Sequence, residues 1–249
     1  IKGCITGLGV KHVVSSKIEH HCVLHSVEEV GKMDNVEVHY VELNEKGHID
    51  LNALDVLLSG IDGKILVTLM HANNEIGNLI DLKALSLICR KYDAYLHSDT
   101  VQTLGHYNLD LGEIDIDFVS GSGHKSHGPK GAGLLYINGR IKLTPFIHGG
   151  SQERNMRAGT ENTYGIVGLI KALEIAHEDM DEDIAHIQSI KDYMIKQLEE
   201  NIDGVSFNGD AKGNSLYTVL NANIPVTKDS DMLLFNLDIA GIAASSGSA

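Results

Sequence analysis

Three apolar, β-like runs in this chain each end in a cluster of polar residues of types that do chemistry. Lys64–Met70 opens into His71-Ala72-Asn73-Asn74-Glu75-Ile76-Gly77, and Ala94–Ser98 opens into Asp99-Thr100-Val101-Gln102. Asp117–Gly121 opens into Ser122-Gly123-His124-Lys125. In open α/β sheets ligands sit beyond the carboxyl ends of the strands. An Asp, an Asn and a Lys at such ends cost several kcal/mol each to bury unless they pair with one another or with a ligand. Three such clusters at equivalent ends of one sheet point to one shared polar ligand.

Each cluster has its own chemical preference. Backbone N–H groups and a hydroxyl, as in Ser122-Gly123-His124, suit a phosphate. A carboxylate such as Asp99 suits a protonated ring nitrogen. A lysine amine such as Lys125 suits an aldehyde, with which it forms a Schiff base. Pyridoxal 5'-phosphate carries all three groups, and one strand–connection–strand unit separates Asp99 from Lys125, which lets both reach one small ring. The plainer readings are a turn cap for Asp99, a solvated loop lysine for Lys125 and a helix-start residue for His20. His21 and His25 stand at i, i+4 and lack a third ligand nearby, so they read as surface residues, and no metal site is expected. Cys22 and Cys89 fall on helical patterns and read as small buried hydrophobes. Neither a dinucleotide fingerprint nor a P-loop is present.

The elements that must position these residues alternate along the first two-thirds of the chain. Strands are expected at Lys11–Ser16, Val36–Leu43, Lys64–Met70, Ala94–Ser98, Asp117–Gly121 and Ala132–Ile137. Helices are expected at His21–Val30, Leu51–Leu58 and Asp81–Tyr92. Lys64–Met70 is apolar almost throughout, as in strands buried on both faces. This order predicts an α/β fold with a mostly parallel, helix-covered sheet. After Pro145 comes a polar, Gly-rich loop, 148–160, then two long helical patterns from Tyr164 to about Asn201 with the acidic run Glu178–Asp183 between them. A strand over Ser215–Asn223 and a helix around Asp229–Asp238 follow. The acidic run, read as a solvated helix face, marks the expected division: 1–178 as a large domain and 179–249 as part of a smaller α+β domain. Ile1-Lys2-Gly3 reads as the close of a helix already under way and Ser245–Ala249 as mid-loop, so the chain reads as the middle of a longer protein.

Composition excludes several classes. The 249 residues carry 20 basic against 34 acidic side chains, a net charge of −14. That balance offers no footprint for a phosphate backbone or an anionic bilayer. No apolar run approaches the length needed to span a membrane. Three scattered cysteines make no disulfide framework, so a reducing cytoplasm is the expected compartment.

Five ordered motifs resemble those of the cysteine desulfurases: Ser16-Lys17-Ile18-Glu19-His20, His71–Gly77, His97–Gln102, Ser122–Lys125 and Arg157-Ala158-Gly159-Thr160. The closing Ser245–Ala249 is similar to the segment just before the catalytic cysteine of group I of that family. The match covers essentially the whole chain. It implies the large domain of a fold-type-I pyridoxal-phosphate enzyme, class V aminotransferase-like, that converts L-cysteine to L-alanine and carries the sulfur as an enzyme persulfide. It also implies a homodimer and a sulfur-acceptor or iron–sulfur scaffold protein as partners. Lys125 would hold the cofactor and remove the substrate's Cα proton, Asp99 would pair with the ring nitrogen, and His20 would stack on the ring and assist proton transfer. Asn74 and Gln102 would bond near the phenolic oxygen, Ser122 and His124 would hold the phosphate, and Thr160 would reach the partner subunit's phosphate. The family's N-terminal phosphate-binding Thr segment, its nucleophilic cysteine and its carboxylate-binding Arg fall outside residues 1–249, and none of Cys4, Cys22 or Cys89 lies in the nucleophile motif. A related aminotransferase, a selenocysteine lyase or a non-catalytic homologue are the alternatives.

Overall fold

In the computed structural model, residues 1–226 and 230–247 are described. Asp229 of the expected last helix, and Ser248 and Ala249 of the closing motif, lie outside the described residues. Strands β1 (His12–Ser15), β2 (Glu37–Tyr40), β3 (Ile65–Thr68), β4 (Tyr95–Asp99), β5 (Phe118–Ser122) and β6 (Gly133–Ile137) form one sheet in the order β2-β1-β3-β4-β5-β6. The first five are parallel, and β6 returns antiparallel against β5. The expected α/β class and mostly parallel sheet are what the structure has.

Helices α1 (His21–Val30), α2 (Leu51–Ser59) and α3 (Leu82–Lys91) sit between the strands in sequence. They cover both faces of the sheet. On one face Val14, Val67 and Leu96 pack with Leu54 and Leu58 of α2 and with Leu85 and Cys89 of α3. On the other, Val13, Leu66 and Phe118 pack with Val23, Val27 and Val30 of α1. The alternation Val13/Val14 and Leu66/Val67 is the two-residue pleat serving two cores at once, which is why β3 is buried at all four positions. Local signals fix the helix starts: the side chains of Asp50 and Asp81 each accept two backbone N–H bonds at the heads of α2 and α3.

Beyond the sheet run α4 (Thr163–Glu178) and α5 (Met180–Asn201), a two-stranded hairpin of β7 (Ser206–Phe207) and β8 (Ala222–Asn223), and α6 (Leu233–Ile239). The acidic run 178–183 lies largely exposed across the α4–α5 junction. Two expectations need correcting. The helical turns at the start do not close at Gly3; they run through a π-helical turn, Cys4–Leu8, and stop at Gly9, whose φ of 70° is the left-handed conformation that ends helices. The expected strand over Ser215–Asn223 survives only as Ala222–Asn223. Its buried start, Leu216 and Tyr217, docks on the loop after β3, where Leu216 N–H donates to the Gly77 carbonyl at 2.7 Å. That stretch is apolar because it packs on a loop, with no ladder to join.

Candidate active site

Because β1, β3, β4 and β5 are parallel neighbours, their carboxyl ends share one edge. The edge carries His20 after β1, Asn74 after β3, Asp99 and Gln102 after β4, and Ser122, His124 and Lys125 after β5. Cross-links tie these exits together. His71 N–H donates to the Asp99 carbonyl at 2.9 Å and Thr100 N–H to the Ser120 carbonyl at 2.9 Å. Asn73 Nδ2 donates to the Ile18 carbonyl at 2.8 Å. Asn73 Oδ1 also caps the turn that presents Asn74, accepting from Glu75 and Ile76 N–H. Asn73 is therefore an internal brace, and the half-buried Asn74 is the outward-facing member of the pair.

Asp99 is 6% exposed. Its Oδ1 accepts from Val101 N–H at 2.9 Å, so it does cap its own turn. Among the described residues its Oδ2 meets only the Cys22 thiol, at 3.9 Å. Burial raises the Asp99 pKa, against the pull of Val101 N–H, His20 and Cys22. A buried carboxylate oxygen with one weak thiol donor is what a protonated ring nitrogen would satisfy. His20 does start α1, its Nδ1 accepting from Cys22 N–H at 3.2 Å, while its ring stays exposed.

Cys22 overturns its expected place. It is exposed, with Sγ 3.0 Å from His20 Nδ1, because it occupies the first turn of α1 ahead of the inward stripe Val23, Val27, Val30. Cys89 is buried, as expected.

After β5, Gly123–Lys125 forms a 3-10 turn. A Cβ on Gly123 would lie 2.9 Å from Leu169 Cδ1 and 3.3 Å from the Ala132 carbonyl oxygen, so α4 packs closely on this turn. Ser122 Oγ and His124 Nδ1 share a hydrogen bond of 2.6 Å. The Lys125 side chain is exposed and has no ion pair among the described residues. Its carbonyl accepts from His106 Nε2 at 3.2 Å, and His106 Nδ1 in turn pairs with the Tyr217 hydroxyl at 2.8 Å. His106 thus braces the lysine turn and is itself held by Tyr217, 111 residues further along the chain, a pairing that no local spacing could signal. Thr160 is exposed in the loop between β6 and α4.

Two histidines on the edge are kept neutral by burial. His97, between Thr68 Oγ1 at 2.7 Å and Ser120 Oγ at 3.2 Å, is pushed down to about 3. His71, on Thr103 Oγ1 at 2.8 Å, is pushed down to about 4.

Glu19 is the other titratable group that local spacing did not single out. It is 4% exposed, and its Oε1 accepts from Met70 N–H and Ser16 Oγ, both at 3.0 Å, while Oε2 has no partner among the described residues. Burial pushes it up to about 8, opposed by those two bonds and reinforced by the Asp99 charge. The folded state therefore keeps this proton where the unfolded chain loses it. Its stabilisation is complete below about pH 4.5 and fades as pH rises toward 8. Between pH 5 and pH 8 the unfolding free energy is expected to fall by roughly 2–4 kcal/mol from this group. Glu19→Gln keeps both accepted bonds and should flatten that fall in denaturant titrations. Equal slopes in the two proteins would refute the assignment.

The residues present fit pyridoxal phosphate: a buried carboxylate short of a cationic partner, a free lysine on the adjacent strand end, and a hydroxyl–imidazole pair beside a glycine turn. A helix-covered parallel sheet with such an edge defines an α/β protein that binds its ligand beyond the strand ends. The chain belongs to the aminotransferase class-V family, whose model matches residues 9–249. It is 41% identical, over all of its length, to a cysteine desulfurase IscS from Dictyoglomus turgidum, of which it covers 62%. It superposes with a TM-score of 0.89 on the solved structure of a NifS-like protein, at 32% identity, covering 98% of this chain and 66% of that one. A structure described as SspA in complex with cysteine matches with a TM-score of 0.77 at 29% identity, covering 100% of this chain and 69% of that one. The chain spans about three-fifths of the length of the curated relatives it matches.

Proposed function

We propose that this chain supplies the cofactor-binding core of a pyridoxal-phosphate-dependent cysteine desulfurase. The observation that carries the reading is Asp99 buried at the end of β4 with Lys125 free at the end of β5, its parallel neighbour. The similarity to cysteine desulfurases, and to a structure whose description includes cysteine, selects the substrate.

When bound, the cofactor supplies an electron-withdrawing ring that makes the substrate's Cα proton removable. Asp99 Oδ2 would hold the proton on the ring nitrogen, while Val101 N–H keeps that carboxylate oriented through Oδ1. Lys125 Nζ takes the Cα proton and later returns one. Ser122 and His124 would hold the phosphate, Asn74 and Gln102 would lie near the phenolic oxygen, and His20, anchored by Cys22 N–H, would stack on the ring. The net reaction is L-cysteine plus an enzyme thiol giving L-alanine plus an enzyme persulfide: the substrate's Cβ–S bond breaks, and an S–S bond forms to the thiolate. The thiol in this proposal is that of the family's nucleophile motif, and Ser245–Ala249 resembles the segment before it. The division into a large domain, 1–178, and part of a smaller one, 179–249, belongs to the same proposal, as do a cytoplasmic location and a sulfur-acceptor or iron–sulfur scaffold partner. Among the described residues no helix is long and apolar enough to cross a membrane.

A homodimer with Thr160 at the partner subunit's cofactor is supported by an uncovered apolar face. Leu135 on β6 and Ile166 and Ile170 on α4 are 56%, 37% and 52% exposed, and they line one cleft with Phe146 and Ile147. A monomer in sedimentation of the full-length protein at micromolar concentration would sink this arrangement. The function is tested by incubating the cofactor-loaded full-length protein with L-cysteine. Alanine formed with equimolar persulfide or sulfide is expected. Keto-acid-dependent amine transfer, a selective response to selenocysteine, or no turnover would overturn it.

A further inference from the structure

At the opposite end of the same strands, His12 begins β1 and Glu37 begins β2, and the register pairs His12 with Glu37 and Val14 with His39. In-register neighbours and alternate residues share a face of the pleat, so His12, Glu37 and His39 project together. Among the described residues they are the one group bringing three such donors within 4.8 Å of one another. His12 Nδ1 is 3.3 Å from His39 Nε2 and 3.7 Å from Glu37 Oε2, and His39 Nε2 is 3.8 Å from that oxygen. A tetrahedral ion with bonds of 2.0–2.1 Å needs ligand atoms roughly 3.3 Å apart, so the triangle is slightly open and closes with small side-chain movements.

His12 Nε2 lies 3.1 Å from the Asp62 carbonyl, which can only accept, so that nitrogen donates there and Nδ1 is the atom turned into the triangle. A carbonyl behind a histidine is the usual outer support of a metal ligand. Gly63, at a φ of 127°, closes the same loop against the His12 ring. His12 Nδ1, Glu37 Oε2 and His39 Nε2 all turn into one triangle, where a single divalent cation can meet all three.

We propose that His12, Glu37 and His39 form a binding site for a zinc-class divalent ion that staples edge strand β2 to β1. Two imidazoles and one carboxylate suit zinc or its first-row neighbours, whereas magnesium and calcium sites are built from oxygen. The Glu37 side chain is 70% exposed, leaving a fourth position for water. The site lies at the amino ends of the strands, remote from Asp99 and Lys125, and does not rest on the proposed function.

The experiment uses the cofactor-loaded full-length protein and Co²⁺, whose visible spectrum reports its ligands. One saturable Co²⁺ per chain, with a nitrogen–oxygen spectrum and displacement by Zn²⁺, is expected. Glu37→Gln and His39→Ala should each weaken it by about 10-fold or more. His25→Ala, which breaks the stacked His21–His25 pair at 5.0 Å on the surface of α1, should leave it unchanged. Overturning results are no saturable binding below millimolar Co²⁺, an intense thiolate-to-cobalt band, unchanged affinity in the Glu37 and His39 variants, or loss in His25→Ala. Glu37 is exposed, so its glutamine variant has no folding defect to hide behind.

Discussion

Lys125→Ala is expected to remove the absorbance band of the lysine-bound cofactor and to lower kcat/KM for L-cysteine by about 10⁴-fold. The fold gives this test a clean background. The Lys125 side chain is exposed and has no ion pair among the described residues. What the structure uses from this residue is its carbonyl, which accepts from His106, and alanine keeps that carbonyl. Stability of the cofactor-free protein should therefore stay within about 0.5 kcal/mol of wild type, as for other surface substitutions. Lys125→Arg separates the two things the side chain offers. Arginine keeps the positive charge but cannot be deprotonated to act as a nucleophile or base. If charge alone mattered, Arg would restore activity. The expected result is that it fails as completely as alanine does. A wild-type spectrum in either variant would move the cofactor's attachment elsewhere and take the proposed function with it.

Much of this edge was legible because the physics that makes it is local. The near-continuous apolar run Lys64–Met70 reads as a strand covered on both faces, and the polar residues that break each run mark its carboxyl end. Asp50 and Asp81 announce helix starts through side chains that reach two or three residues ahead. The unreadable parts depend on residues far apart in sequence. Leu216 and Tyr217 look like strand because they are apolar, yet their burial comes from Gly77 and His106. Cys22 looked like a core residue because helical periodicity says which residues share a face but not which face points inward. The stripe turns out to be Val23, Val27 and Val30. The histidines show the same contrast. His21 and His25 stand out at i, i+4 and are only a stacked surface pair. His12 and His39 meet through the register of two strands separated by a whole helix.

Asp99 offers the sharper test, because its plain and its chemical role reside on different oxygens. Oδ1 caps the turn through Val101 N–H, and Oδ2 is the oxygen left for a ring nitrogen. Asp99→Asn keeps an acceptor for Val101 but loses the charge, whereas Asp99→Ala loses both. If Asp99 is only a cap, Asn should behave as wild type and Ala should cost about 1 kcal/mol of stability. If its carboxylate pairs with a protonated ring, both variants should lose turnover to a similar degree. Breaking a buried pair by removing one partner costs about 3–5 kcal/mol, which in a rate is on the order of 10³-fold. Stability should move the other way in the Asn variant. Burial raises the Asp99 pKa, so the ionised carboxylate costs the cofactor-free fold stability above the ordinary carboxylate range, and that cost grows as pH rises through the raised value. An uncharged amide escapes it. Cofactor-free Asp99→Asn should thus melt at or above wild type at neutral pH while its cofactor-loaded form turns over about 10³-fold more slowly. Wild-type turnover in the Asn variant would leave Asp99 a turn cap and nothing more.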